Sequence, residues 1–182
     1  MEKNPANITI GPIHLSYARL WEAEAMQEGD AKKFSTSAII PKSDKASIAK
    51  INAAIEVAKT VGKDTKFGGK TTNLKLPLRD GDDERGDDEA YQKAMFFNCN
   101  STQRPGIVDA NRNPIINKDD VYSGCYGYLN VTFYPYNFQG SKGVAVGLNH
   151  FMKTKDGEVL GGGVSADTAF DGIEVDDAND LL

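Results

Sequence analysis

Apolar and polar residues alternate along several short stretches of the chain, and a spacing of two is typical of β-strands with one buried face. The stretch 7–17 alternates on both sides of Gly11-Pro12, which predicts a bent strand at a sheet edge or bulge. Further strands are predicted at 34–40, 95–101, 107–109 and 143–148. The pattern therefore indicates a mainly β domain.

One segment follows the helical period instead and predicts a helix of about 17 residues. Ser43 suits the N-cap, and Gly62 suits the exit from the helix. Four apolar side chains form one stripe of this helix: Ile48, Ile51, Ile55 and Ala58. We expect the stripe to pack against the sheet, and the alternative is a partner-binding helix. The Gly- and Lys-rich stretch 60–79 lacks either period and predicts a mobile basic loop.

The segment 122–137 shows the clearest alternation in the chain. Leu129, Val131 and Phe133 share one face, which we expect to lie in the core. The opposite face carries polar and aromatic side chains: Tyr126, Tyr128, Asn130, Thr132, Tyr134 and Tyr136. Tyrosines separated by Asn and Thr are a poor core face but a good platform for stacking nucleic-acid bases. The alternative is that these tyrosines cover a second layer and leave their hydroxyls at its rim.

The formal net charge is −5, but the charges are strongly segregated along the chain. Residues 31–75 contain ten lysines and three acids, a balance of +7, whereas residues 76–90 carry a balance of −5. Residues 166–182 contain six acids and no base. Because charges more than about 8–10 Å apart are screened at physiological salt, a basic surface can exist on an acidic protein. Nucleic acid therefore stays among the candidate ligands.

The sequence predicts no metal site, no cofactor and no catalytic residues. The acidic stretch 80–89 is only superficially like a calcium loop, because Arg85 stands where an EF-hand needs Gly and Tyr91 where it needs Glu. A solvated acidic loop is the favoured interpretation. These carboxylates also raise a nuclease as an alternative, but a Gly-rich loop does not fix acids as two-metal catalysis requires. Cys99 and Cys125 lack zinc-ligand spacing and are expected to be reduced and packed in strands.

The chain is expected to form one domain, residues 1–165, followed by a flexible acidic tail, residues 166–182. Sparse apolar residues and six acids are typical of a disordered segment. The last acidic and apolar residues are the candidate partner-binding part of this tail: Asp176, Asp177, Asp180, Leu181 and Leu182. The sequence shows no signal peptide and no apolar run that could span a membrane, so we expect a cytoplasmic protein without a membrane partner.

Five segments of the chain, in this order, resemble a tailed-phage family of single-stranded DNA-binding proteins that was long described only as a domain of unknown function. They read LSYARLWEAEAMQEGDAKKFSTSAIIPKSD, LPLRDGDDE, NSTQRPGIVD, YSGCYGYLNVTFYPYN and GVAVGLNHFMKTKDGEVLGG. The resemblance runs from Ile8 to Phe170. It implies an OB-fold-like Greek-key barrel with one inserted helix, sequence-independent DNA binding, no enzymatic activity and an acidic tail. The family often has a basic residue where Tyr128 stands.

We therefore expect a single-strand binder of phage DNA replication or recombination in the infected host, with replication or recombination proteins as possible partners of the tail. Phosphates would be met by basic side chains: Lys33, Lys42, Lys75, Arg79, Arg104 and Lys142. Bases would stack on aromatic side chains: Trp21, Phe34, Tyr126, Tyr128, Tyr134 and Tyr136. Phe34 shares its strand face with Ala38 and Ile40, which also permits a place in the core. The alternative function is a phage structural or protein-interaction module without nucleic-acid binding.

Overall fold

The computed structural model describes residues 3–161 and 166–175. Strands and helices follow in this order: β1 (Asn7–Glu24), β2 (Lys33–Pro41), α1 (Lys45–Thr65), β3 (Arg79–Asp80), α2 (Gly81–Glu84), β4 (Ala94–Ser101), β5 (Gly106–Val108), β6 (Tyr126–Phe138), β7 (Ser141–Lys155) and α3 (Ala166–Ala169). Single 3-10 turns lie at Glu89–Tyr91 and Lys118–Asp120. No helix within the described residues is both long and apolar enough to cross a membrane.

Five strands close into a barrel in the cyclic order β1, β2, β4, β7 and β6. All neighbours are antiparallel except β4 and β7, which meet in parallel where Asn100 lies beside Gly147. Strands β1, β2 and β4 form a meander, and β6 and β7 then pair with β1 and β4 and close the barrel. This is the Greek-key barrel of the OB-fold. Helix α1 is inserted between the second and third barrel strands. The predicted fold class is confirmed.

The barrel interior is filled by the side chains that the alternation assigned to the core. Leu129, Val131 and Phe133 of β6 are at most 2% exposed. The stripe of α1 packs on the same core through Ile51 and Ala58, with Ile48 half-buried at its edge. The helix therefore packs on the barrel core through its apolar stripe, as its helical period predicted.

The ends of α1 differ from the prediction. The N-cap is Asp44 instead of Ser43, because the Asp44 carboxylate accepts a hydrogen bond from the Ser47 amide at 3.1 Å. The helix also continues past Gly62 to Thr65. Gly62 is needed for packing instead, since a side chain there would overlap Phe67. The predicted mobile loop 60–79 thus begins inside the helix.

Residues 79–93, which we call the acidic flap, fold back onto the outside of the barrel. Tyr91 is completely buried there, and its hydroxyl donates a hydrogen bond to Ser37 Oγ at 3.1 Å. Ile39 and Phe96 of the adjoining strands complete a small second core beneath the flap. Most acidic side chains of the stretch 80–89 are exposed, as the prediction of a solvated acidic loop requires. The stretch also forms α2, and the apolar cluster around Tyr91 holds its C-terminal side on the outer barrel face.

Candidate nucleic-acid interface

A groove of about 630 Å³ runs over the outer face of β1, β2 and β4, and we call it the outer groove. Its floor consists of residues paired across β2 and β4, with Ser35 opposite Asn100 and Ser37 opposite Asn98. Arg19, Lys33, Arg85 and Tyr17 also line the groove, together with the acids Glu24 and Asp30. Arg19 pairs with Glu24 at 2.9 Å, whereas Lys33 is exposed. A polar floor between cationic and aromatic side chains can hold an extended, negatively charged chain with flat groups.

Tyr17 reaches this groove through a β-bulge. The register between β1 and β2 shifts between Ser16 and Arg19, and Tyr17 has a φ of 47°. A bulge adds a residue to one strand and re-aims side chains, and here it leaves Tyr17 55% exposed. The sequence pattern had placed Tyr17 in the apolar row of Ile13 and Leu15. It also ended the strand at Tyr17, whereas β1 continues to Glu24 and includes Trp21.

Arg85 is the second groove residue that the sequence reasoning missed. Its guanidinium carbon Cζ lies 5.3 Å from the Tyr17 ring centre, 5.0 Å from that of Tyr91 and 5.5 Å from that of Phe96. Each of these distances is within the range of a cation–π contact. The sequence analysis considered Arg85 only as a mismatch to the calcium-loop pattern. Arg85 reaches the groove because the flap folds against the barrel.

The acidic flap also neutralises two of the predicted phosphate-binding residues. Lys42 Nζ lies 2.8 Å from both Asp80 and Asp82, and Arg79 pairs with Glu84 at 2.7 Å. Hydrogen bonds from Lys42 lower the pKa of the Asp80 and Asp82 carboxyls. Both basic groups are thus already paired, and phosphate would have to displace a carboxylate to reach either of them.

The tyrosine row of β6 is divided by polar contacts. Tyr128 and Tyr134 are 36% and 42% exposed on the outer barrel face. Between them, Asn130 and Thr132 both accept hydrogen bonds from the Asn149 amide, at 3.0 and 2.9 Å. These bonds hold the middle of the outer face as a polar patch.

Tyr126, at one end of the row, is engaged within the protein. Its ring stacks on His14 with 4.3 Å between centroids and an interplanar angle of 7°. Burial lowers the pKa of His14, which favours the neutral imidazole. One face of the Tyr126 ring is therefore occupied, and a base would have to use the other face or displace the histidine.

Tyr134 adjoins the outer groove across the barrel closure. Gly147 pairs with Asn100 of the groove floor, and a Cβ atom at Gly147 would lie 3.7 Å from the Tyr134 ring. The β7 residues that pair with Tyr136, Tyr134 and Thr132 are all small: Gly143, Ala145 and Gly147.

Three predicted residues come together at the start of β7. The Lys75 amide donates to the Lys142 carbonyl at 3.0 Å, and the Val144 amide donates to the Lys75 carbonyl at 2.9 Å. Tyr136 flanks the same place, since a side chain at Gly143 would overlap both the Lys75 carbonyl and the Tyr136 hydroxyl. The stretch predicted as a mobile loop is thus anchored to the β6–β7 hairpin at Lys75.

Trp21, Phe34 and Arg104 lie apart from the tyrosine row. Trp21 and Phe34 are half-buried against the barrel core, so Phe34 takes the core position that its strand face also permitted. Arg104 Cζ lies 6.0 Å from the Trp21 ring centre, and Trp21 Nε1 donates to the Val121 carbonyl at 3.1 Å. The structure therefore pairs Trp21 with Arg104 but holds the indole against the protein.

Neither cysteine is exposed, and burial raises the pKa of the Cys99 thiol to about 12. In the part of the chain that the structure describes, no three His, Cys, Asp or Glu side chains come together as a metal site. The five tail residues predicted to bind partners, Asp176 to Leu182, lie outside the described residues. The described part of the tail includes one helical turn, α3, followed by an exposed Phe170.

The barrel and its groove define a protein of the OB-fold class, whose outer strand face and flanking loops bind oligonucleotides or oligosaccharides. A family model described as "Enterobacter phage Enc34, ssDNA-binding protein" matches residues 6–182. The chain belongs to this family of phage single-stranded DNA-binding proteins. The resemblance predicted from the sequence is confirmed.

Individual proteins are also similar to this chain. "Putative protein p50" of Acyrthosiphon pisum secondary endosymbiont phage 1 is 29% identical over 187 residues, which covers 96% of this chain and 98% of the relative. The single-stranded DNA-binding protein from bacteriophage Enc34, solved in complex with ssDNA, superposes with a TM-score of 0.76 at 23% identity over 86% of this chain and 90% of that chain. Bacteriophage T7 gp2.5, also a single-stranded DNA-binding protein, gives 0.59 at 13% identity over 94% and 96%. These two structures share the fold.

Proposed function

We propose that this protein binds single-stranded DNA without sequence preference in phage DNA replication or recombination, through the outer groove. The observation that carries the proposal is the composition of the groove, where exposed Tyr17 lies beside a floor of Ser and Asn and three cations, Arg19, Lys33 and Arg85, outnumber the two acids. Every base has a face that can stack on an aromatic ring, and cations follow the phosphates whatever the sequence. The family assignment supports the same function.

The bound strand would leave the groove floor at Asn100 and cross the barrel closure over Gly147. Tyr134, beside Gly147, offers the next exposed ring. Beyond it, the backbones of Lys75 and Lys142 meet at the start of the β6–β7 hairpin. Lys75 is exposed and could neutralise a further phosphate, whereas the Lys142 ammonium donates to the Phe67 carbonyl and would have to leave it. This path would connect Tyr134, which the alternation predicted as a stacking residue, to the outer groove.

Binding without catalysis is part of the proposal. Three acids of the flap support it, because Asp80, Asp82 and Glu84 are engaged in ion pairs with Lys42 and Arg79 that hold the flap. Labelled single-stranded DNA incubated with the protein and magnesium should remain intact on a denaturing gel. Cleavage that disappears in Asp80→Ala would establish a nuclease instead.

A fluorescence-anisotropy titration with labelled oligo-dT at low salt tests the binding itself. The wild-type protein should bind, and Arg19→Ala with Lys33→Ala should bind at least tenfold more weakly, since each lost charge-assisted contact costs about 1 kcal/mol or more. Lys45→Ala with Lys50→Ala is the matched control, because it removes the same charge from the exposed side of α1. No wild-type binding up to tens of micromolar would favour a structural or protein-interaction module.

The acidic tail would act on the same groove and on protein partners. A tethered anion meets a cationic site of its own chain at an effective concentration that can approach millimolar. Six acids in residues 166–182 would therefore compete weakly with DNA and be released when DNA binds. The released end, with Leu181 and Leu182, would then be available to replication or recombination proteins.

A further inference from the structure

The acidic flap contains more negative charge than is needed to hold it in place. Asp80, Asp82 and Glu84 form its ion pairs, and Asp88 accepts a hydrogen bond from the Ala90 amide. Asp83, Asp87 and Glu89 are exposed, and they make no ion pair or side-chain hydrogen bond within the described residues. These three carboxylates have no structural role that accounts for them.

The unpaired acids border the outer groove. With the rest of the flap they line a shallow recess that also includes Tyr17 and Arg85. The same Tyr17 and Arg85 line the outer groove. The two depressions are thus neighbours with a shared wall. Cations outnumber acids in the outer groove, whereas six acids line the recess.

The flap is firmly attached, so its charges have fixed positions. Tyr91 is buried beneath it, and Lys42 joins it to the end of β2. A side chain at Gly81 would overlap the Tyr91 carbonyl oxygen, which shows how closely the flap backbone is packed. A fixed acidic surface beside a binding groove cannot turn away from a bound polyanion.

We propose that Asp83, Asp87 and Glu89 exclude duplex DNA from the outer groove and so determine its specificity for single strands. This inference rests on the proposed function. A repulsive element set against the wrong ligand is a common source of specificity. Here it would be a property of the barrel domain itself, independent of the tail.

The physical difference between the two ligands explains the selection. A single strand is flexible and can turn its phosphates toward Arg19 and Lys33 while its bases lie on the groove floor. A duplex is stiff over about 150 base pairs and carries a phosphate for every 1.7 Å of its axis, on all sides. It therefore cannot enter the groove without bringing phosphates close to the flap, at distances where charges near a protein surface repel appreciably.

The test compares two variants that gain the same charge in different places. The flap variant combines Asp83→Asn, Asp87→Asn and Glu89→Gln, and the control combines Asp119→Asn, Asp120→Asn and Glu158→Gln at exposed positions outside both depressions. Each is titrated against labelled oligo-dT and against a duplex of equal length, with the tail present throughout. Thermal melting checks that each variant is folded.

The flap variant should bind duplex roughly tenfold more tightly than the wild type, with a clearly smaller gain for oligo-dT. The control should change both affinities by similar factors and leave their ratio unchanged. A folded flap variant with the wild-type ratio would overturn the inference, and so would a control that shifts the ratio equally. If the wild type fails to bind oligo-dT at all, the proposed function has failed instead.

Discussion

Arg85 of the acidic flap lies over the ring of Tyr17 in β1, with 5.3 Å between Cζ and the ring centre. The two residues are 68 positions apart in the chain, and the barrel brings them together at one wall of the outer groove. The guanidinium lies against the exposed ring and, under the proposed function, would supply positive charge for a phosphate. This contact links the proposed stacking residue Tyr17 to the acidic flap.

Replacing Tyr17 should separate DNA binding from stability. Tyr17→Gly relieves the backbone strain at a φ of 47°, which stabilises the folded state. It also removes the cation–π contact and increases the freedom of the unfolded chain, and both changes destabilise the fold by a similar amount. The free energy of unfolding should therefore change by less than about 1 kcal/mol, while oligo-dT binding weakens by about 1–3 kcal/mol. Phe133→Ala is the control and should lose about 3–5 kcal/mol of stability. Equal affinity of Tyr17→Gly and wild type would remove Tyr17 from the site.

The salt dependence of binding should distinguish Lys33 from Lys42. Lys33 is exposed at the groove, whereas Lys42 is held by two carboxylates. Each phosphate neutralised on a single strand contributes about 0.7 to the slope of log K against log salt. Lys33→Ala should therefore flatten the slope by about 0.7, and Lys42→Ala should change it much less. A similar change in both variants would mean that the ion pairs of Lys42 open when DNA binds.

Tyr134 and Tyr126 should respond differently to truncation although both belong to the predicted tyrosine row. Tyr134→Ala removes an exposed ring beside the barrel closure and should weaken oligo-dT binding by about 1–3 kcal/mol with little effect on the melting temperature. Tyr126→Ala removes the stacking partner of His14 and should mainly lower the melting temperature. The reverse result, with Tyr126 as the stronger binding residue, would place DNA at the other end of the tyrosine row.

The thiols should be unreactive while the protein is folded. Burial raises the pKa of Cys99 to about 12, so the reactive thiolate is scarce at pH 8, and Cys125 is also buried. Labelling with a thiol reagent at pH 8 should be slow in buffer and fast in denaturant, where both residues are accessible. Rapid labelling of one thiol in buffer would show that the barrel opens locally.

Truncation after Phe170 should tighten binding of oligo-dT, because it removes five of the six acids that we propose compete for the groove. The gain should shrink as salt rises, since screening weakens both the tail and the DNA contacts. Leu182→Ala keeps the charge and should leave affinity unchanged, while it weakens capture of a replication or recombination protein in a pull-down. A truncated protein with unchanged affinity and unchanged partners would reduce the tail to an aid to solubility.

Local pattern was sufficient for much of the architecture. The alternation in β6 identified its core face, and the helical period identified the buried stripe of α1. Both follow from the geometry of a single element, in which each side chain's direction depends only on its position along the strand or helix. The exposed aromatic positions Tyr128 and Tyr134 were found by the same rule.

Contacts between distant segments decided the rest. The bulge at Tyr17 cannot be seen in an alternating pattern, because it depends on how β1 pairs with β2. The sequence of the acidic flap predicts a solvated loop, and only the packing of Tyr91 against Ile39 and Phe96 attaches the flap to the barrel. The sequence alone determined the barrel's inward faces, its helix and the chemical class of its surface. Only the tertiary structure placed Tyr17 and Arg85 together, because the groove is formed by residues of three strands and the flap that are distant in the sequence.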